Sequence, residues 1–345
     1  MKFGPVPVEE AVGQILGHNV SDATGRRALR KGRSLSAADV ELLRDLGRKS
    51  VYVARPASDD VAEDAAADRI ADRLAGTALH RTAARSGRVN FHAEGLGVFR
   101  VDVERLRTTN RATGVALATL RSGSVVRRDA IVATLKIVPF ALPETVVAGL
   151  VAALEASGPV LGLDAIEPTR VGLILSGAPS ARERILRSYL GALEPRLLAL
   201  TASIAATDFV PLEDERDEVR LAATLERQIE QGVELVLLAG ETAIQDHEDI
   251  APRAIVRAGG EITAHGAPVD PGNLLLLAFK GKVAILGAPG CARSPKANIV
   301  DLVLPRLLAG ERMDADALIE LGHGGLLEDV PERPAPRGHR AAGGE

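Results

Sequence analysis

The sequence predicts an α/β protein, with a mostly parallel sheet in the second half of the chain preceded by an α+β region. Three observations carry this expectation. Apolar runs at 171–180 (VGLILSGAPS), 233–249 (VELVLLAGETAIQDHED) and 282–295 (KVAILGAPGCARSP) begin as continuous rather than alternating segments, as suits strands buried on both faces of a parallel sheet. Each run ends in a small-residue loop that leads into a helix-like segment. The resulting strand–helix–strand order fits right-handed crossovers.

Taken in order, residues 7–16 (PVEEAVGQIL) place Val8, Ala11, Val12, Ile15 and Leu16 on one helical face. Pro7 and the two glutamates suit a first turn. Ser36 and Asp39 form a capping-box pattern, Val40, Leu43 and Leu46 follow, and Gly47 supplies a stop. SVYVA (50–54) reads as a strand, and a helix is expected over 60–75, with Asp59 or Asp60 as cap and Gly76 as terminator. From about 88 to 165, the β-like pieces VFRVDV and IVATLKIVPF mix with a helix near 143–156. Further helices are expected near 181–192, 216–231 and 249–258, and 273–279 should form an extra strand pairing with 282–287. The domains expected are an α+β region at 1–165, divisible near 80–90, and an α/β domain at 166–312. An extension at 313–330 and a disordered Pro-, Gly- and Arg-rich tail at 331–345 complete the chain.

Composition excludes several classes. The 345 residues are 46% hydrophobic and 26% charged, with a net charge of −4, an ordinary globular balance. A single cysteine, Cys291, rules out an internal disulfide and any multi-cysteine zinc or iron–sulfur site. Near-neutral charge, no Trp and only two Tyr argue against nucleic acid as a partner. No apolar run is long enough to span a bilayer and the start lacks a signal-peptide core, so no membrane contact and a cytoplasmic location are expected. The basic stretch RRALRKGR (26–33) is read as a solvated loop or as a contact for an anionic ligand or partner.

In open α/β sheets, ligands bind outside the carboxyl ends of the strands, so the three loops should gather at one rim. In the last of them Gly287 and Gly290 permit close backbone approach, while Arg293 and Lys296 add positive charge. Ser294 before Pro295 reads as an N-cap and first helical residue, whose amides would favour a phosphate or another oxyanion. An ordinary capped helix after a turn accounts for the same residues. Cys291 near a helix start and an arginine would favour the thiolate; a small residue in a tight turn is the alternative. In QDHED (245–249), Asp246, Glu248 and Asp249 can hold Mg²⁺ or orient a hydroxyl-rich ligand, or else complement the dipole of the next helix, with Asp249 as its cap. Neither GxxxxGK[ST] nor GxGxxG occurs, so ATP and NAD are not specifically indicated.

The pair LLAGETAIQDHED and ILGAPGCARSP resembles the molybdopterin-binding, three-layer α/β fold of the gephyrin-like molybdopterin molybdenumtransferases. Gly240 and Asp246 match the first family loop, of type GGVSxGDxD, and Gly287, Pro289, Gly290 and Ser294 match the second, GLPGNPxS. The stretches GAPVDPGNLLLL, GAPGCARSPK, LVLPRLLAG and GHGGLLEDVPERPAPR, with the N-terminal VEEAVGQILGHNV, look like a bacterial branch sometimes fused to a molybdopterin nucleotidyltransferase. The resemblance implies a protein that binds molybdopterin or the molybdenum cofactor during its biosynthesis. Gly240, Glu241, Thr242, Asp246, Gly287, Pro289, Gly290, Cys291, Arg293, Ser294 and Lys296 would line the site, with the phosphate at Ser294.

Three departures from the family pattern bear on activity, the first being SGAPS (176–180) at the end of the first strand, where molybdenumtransferases usually carry an acidic or amide residue. Glu241 replaces a glycine, and Ala243 replaces a serine hydroxyl, in the first loop. Binding and delivery are therefore expected over insertion of molybdate into adenylylated molybdopterin, a reaction that would use Asp246 and Glu248. A regulatory module sensing another phosphorylated small molecule is a further alternative. The chain ends where fused relatives continue and carries no nucleotidyl-transfer loop. A separate molybdopterin cytidylyltransferase, or a maturation factor for a molybdoenzyme, is thus the expected partner, and the family implies a homodimer.

Overall fold

The computed structural model describes residues 1–327. The chain falls into two compact units, divided between Asp164 and Ala165. The tail expected at 331–345, and the end of the extension at 313–330, lie outside the described residues.

The first unit mixes short antiparallel sheets with helices at Ala37–Asp45, Glu63–Leu74, Val103–Arg111 and Glu144–Ser157. Its apolar side chains form two clusters, one within residues 6–53 and one within residues 66–163. The Ser36/Asp39 capping box is present in both directions. The helix expected at 7–16 does not form. Lys2–Pro7 is instead a strand pairing in antiparallel register with Ser50–Arg55, and Val8–Glu10 makes one 3-10 turn. Ile15–Leu16 then returns along the other edge of that central strand. Of the apolar residues that suggested a helical face, Val8, Ala11 and Leu16 are buried by strand–turn–strand geometry while Val12 is exposed, with Gly13 at φ +79° making the turn. The helix expected over 60–75 starts only at Glu63, because Asp60–Ala62 pairs with Ala141–Pro143. Neither Asp59 nor Asp60 caps it: Ala62 holds that position, and Asp60 accepts from the Ala57 amide. Gly76 does not end it either, since the chain is already extended at Ala75.

The second unit is built on a six-stranded sheet. Its strands are β1 (Arg170–Ser176), β2 (Ser203–Phe209), β3 (Leu235–Gly240), β4 (Glu261–His265), β5 (Leu276–Lys280) and β6 (Val283–Gly287). The spatial order is β2-β1-β3-β6-β5-β4. The pairs β1–β2, β1–β3 and β3–β6 are parallel, and β5 alone runs against the rest. The extra strand expected at 273–279 is β5, and it pairs with β6 as anticipated. Edge strands β2 and β4 were not expected from the sequence. β2 carries a burial pattern of alternating exposed and half-buried residues, without the long apolar run that marks a central strand.

Helices α1 (Arg182–Ala199), α2 (Glu215–Glu230), α3 (Ile250–Arg257), α4 (Ile299–Leu308) and α5 (Ala315–Ile319) complete the unit. Ile174, Val236, Leu238 and Ile285 pack on one face with Leu221, Leu225, Ala254 and Ile255 of α2 and α3. The alternate residues Leu173, Leu237 and Leu286 are also fully buried, and by the two-residue period they face the other side. Both faces being covered explains why these strands read as continuous apolar runs. Gly172 on β1 makes room for the buried Gln228 of α2, whose Oε1 would lie 2.0 Å from a Cβ there.

Candidate functional site

Parallel register brings the strand ends together. Ser176 pairs with Gly240, and Leu238 with Gly287, so β1, β3 and β6 finish side by side. The chain leaves each strand tied to its neighbour. The Glu241 amide donates to the Ser176 carbonyl (2.9 Å), and the Ala288 amide to the Leu238 carbonyl (2.7 Å). Two glycines make this closeness possible. A Cβ at Gly240 would lie 2.4 Å from Ser176 Oγ, and one at Gly287 would lie 2.9 Å from Ile244 and Leu276 side-chain atoms. Where β1 and β3 end there is a cavity of about 110 Å³, lined by Ile174, Ser176, Leu238, Gly240, Thr242 and Ile244 among others.

The loop after β6 differs from its sequence reading. Gly290–Arg293 forms a 3-10 turn entered through the buried Pro289, with Cys291 half-buried inside it and Lys296 exposed beyond. Ser294 is not the helix N-cap. It follows the 3-10 turn in extended conformation, as a residue before proline prefers, and its Oγ accepts from the Lys296 amide (3.2 Å). The helix starts at Ile299 and its cap is Asn298, fully buried, in a reciprocal box with Asp301. The first amides of α4 are all partnered: Ile299 with the Pro271 carbonyl, Val300 with Asn298 Oδ1 and Asp301 with the Asn298 carbonyl. The amides of this helix end are therefore already committed to partners within the fold. The Asn298 side-chain amide also donates to the carbonyls of Cys291 (3.3 Å) and Lys296 (3.0 Å). Arg196 of α1 donates to the Lys296 carbonyl (2.9 Å) and pairs with Asp301.

Arg293 is the charged group that the turn presents. Its Nε donates to the Gly290 carbonyl (3.1 Å), and its guanidinium carbon lies 5.7 Å from the centroid of the Tyr189 ring. Tyr189, on α1, is fully buried and donates its hydroxyl to the Gly240 carbonyl (2.8 Å). One side chain thus supports Arg293 with its ring and fixes the β3 loop with its hydroxyl. Burial pushes the Tyr189 phenol up, against the lowering effect of Arg293. No motif in the sequence marks Tyr189, although it is one of only two tyrosines and lies on the apolar face of a helix that follows a rim loop.

The loop after β3 is organised by carboxylates. Glu241 accepts from the Ala178 amide (3.3 Å) and pairs with Arg184 of α1. The Arg184 contact, aided by Ala178 and the charge of Arg293, holds the Glu241 carboxyl below the ordinary glutamate range. Asp249 occupies the N-cap position of α3 but makes no side-chain bond to that helix. Its Oδ2 reaches back to the amides of Gln245 (2.7 Å) and Asp246 (3.1 Å), so the expected helix-capping role is corrected. Asp246 Oδ1 accepts from the Glu248 amide (2.9 Å). Asp246 and Glu248 are exposed and Thr242 lines the mouth of the cavity. The Mg²⁺ reading of these three carboxylates finds no assembled ligand set: among the described residues no group of three or more His, Cys, Asp or Glu is placed to hold a metal ion. Two of the three are turned onto local backbone amides instead.

The structure therefore brings Gly240, Glu241 and Thr242 together with Gly287 and Arg293, and joins to them Tyr189, Arg184 and the Ala178 amide, which the sequence did not single out. The basic stretch at 26–33 belongs to the first unit, where Arg27–Leu29 pairs with Val20–Ser21 in a small exposed hairpin.

A family model described as a domain of unknown function (DUF8806) matches residues 5–55. No curated protein matches the chain. Among solved structures, a molybdenum cofactor biosynthesis protein from Pyrococcus furiosus is 13% identical with a TM-score of 0.24, over 92% of this chain and 65% of its own. This chain thus spans just under two thirds of that protein's length. The molybdopterin biosynthesis enzyme MoaB from Thermus thermophilus is 19% identical with a TM-score of 0.29, over 41% of this chain and 98% of its own. A molybdopterin biosynthesis MoeA protein from Pyrococcus horikoshii is 13% identical with a TM-score of 0.29, over 90% of this chain and 75% of its own. Among the described residues no helix is long and apolar enough to cross a membrane.

Proposed function

We propose that this chain binds molybdopterin, or the molybdenum cofactor made from it, and passes it to a nucleotidyltransferase or a target enzyme. The observation that carries the reading is the pairing of two environments at one rim. Arg184, Arg293 and the Ala178 amide offer charge-assisted donors to an oxyanion. Beside them lies a partly apolar cavity mouth at Gly240 and Thr242. A ligand with a phosphate at one end and a flat heterocycle at the other suits that pairing. The phosphate is assigned to Arg293 rather than to Ser294, and the heterocycle to the Gly240 loop beside the cavity. The resemblance of GAPGCARSPK to molybdopterin-binding proteins supports the choice of ligand.

Delivery is favoured over molybdate insertion. Asp246 and Glu248, which would serve that reaction, stand exposed on a loop, and Asp246 is folded onto the Glu248 amide. Purified protein titrated with molybdopterin under anaerobic conditions, then given adenylylated molybdopterin, magnesium and molybdate, separates the readings. Tight binding without AMP release supports the carrier. AMP release that disappears in Asp246→Asn makes the protein a molybdenumtransferase. An absence of binding leaves a module for another phosphorylated small molecule.

A further inference from the structure

We propose that Glu241 is a built-in competitor for the ligand's phosphate: its carboxylate occupies the rim's anion position and must swing out for the ligand to enter. This inference rests on reading the rim as an oxyanion site. The carboxylate is held by groups from separate elements, the Ala178 amide after β1 (3.3 Å) and Arg184 on α1, with the charge of Arg293 after β6 acting on it as well. Amide N–H and guanidinium donors converging from different directions are the set a phosphate would use. The chain makes room for the carboxylate in its present position. A Cβ at Gly177 would lie 2.9 Å from Glu241 Cβ and 3.2 Å from its Oε2, at a backbone φ of +149°.

The contact is also easy to release. The Glu241 side chain is 34% exposed and that of Arg184 is 61% exposed, a setting in which an ion pair contributes little to stability. A phosphate dianion that replaces a carboxylate monoanion gains charge against the same two arginines. Weak monoanions gain nothing by the exchange. Glu241 thereby makes the empty rim selective for doubly charged groups and offsets part of its positive charge when no ligand is present.

The test uses the full chain as wild type, Glu241→Gln and Arg293→Ala, each checked for folding by circular dichroism and titrated calorimetrically with inorganic phosphate. Gln keeps the size and the acceptor for Ala178 but removes the charge. Glu241→Gln should bind phosphate about tenfold more tightly than wild type, a difference of about 1.4 kcal/mol, and Arg293→Ala more weakly. Equal affinities for wild type and Glu241→Gln, with Arg293→Ala still weakened, overturn the competitor and leave the oxyanion site standing. Weaker binding by Glu241→Gln overturns it too, making Glu241 a ligand contact. Phosphate binding that ignores Arg293→Ala, or no binding by any form, overturns both the competitor and the oxyanion reading.

Discussion

The loops that leave β3 and β6 start from neighbouring parallel strands and reach the same rim, yet they are held in opposite ways. The β6 loop is fixed from outside itself. Asn298 and Arg196 donate to its carbonyls, and both are well buried in the packing between α1 and α4. The β3 loop is fixed from within, by Asp249 and Asp246 accepting from amides two to four residues away, all in solvent-facing positions. The Tyr189 hydroxyl and the Glu241 contacts tie it to the rest of the rim, and His265 of β4 meets both the Ile244 carbonyl (3.2 Å) and the His247 ring. Two strands of one sheet thus supply the rim with a cationic floor held by buried donors and with a loop held largely by its own carboxylates.

Substitutions should separate the two modes. Asn298→Ala removes a helix cap and two carbonyl partners from a buried position, and should cost about 2–3 kcal/mol in chemical denaturation. It should also loosen the β6 loop. Tyr189→Phe keeps the ring under Arg293 but loses the bond to Gly240. It should cost about 1 kcal/mol, with faster amide exchange at 240–242 and unchanged exchange at 290–293. Asp249→Ala should cost roughly 0.5–1 kcal/mol or less, the scale of exposed hydrogen bonds, and its effect should stay within 244–249.

The smallest effect expected is one of pH. The Glu241 carboxyl is held below its ordinary range by Arg184, so the contact is fully present above that range and is lost as pH falls below it. Amide exchange at Ala178 should accelerate through that acidic window in wild type, relative to Glu241→Gln, while the Asn298 contacts persist.

How much of this was legible in the sequence follows from the same contrast. Central strands announced themselves, because burial on both faces removes polar residues from VGLIL, VELVLL and VAILG. The capping box at Ser36 was legible because its partners are three residues apart. Ser294 misled because a serine before proline carries the same local signature whether it caps a helix or follows a turn. The deciding residue, Asn298, acts through carbonyls brought near it by folding. Asp249 misled for a related reason: its position predicts a cap, whereas its carboxylate answers amides upstream. Tyr189, Arg184 and Ala178 could not be assigned at all. Their roles depend on α1 passing under two loops that lie about fifty and one hundred residues further along the chain.

In the proposed function, the rim around Arg293 receives the phosphate of molybdopterin. An anaerobic titration of molybdopterin into wild type, Arg293→Ala and Asp249→Ala tests it most directly. Saturable binding is expected for wild type, with affinity at least about tenfold lower for Arg293→Ala, which is about 1.4 kcal/mol, and little change for Asp249→Ala. Equal affinity for wild type and Arg293→Ala would contradict it.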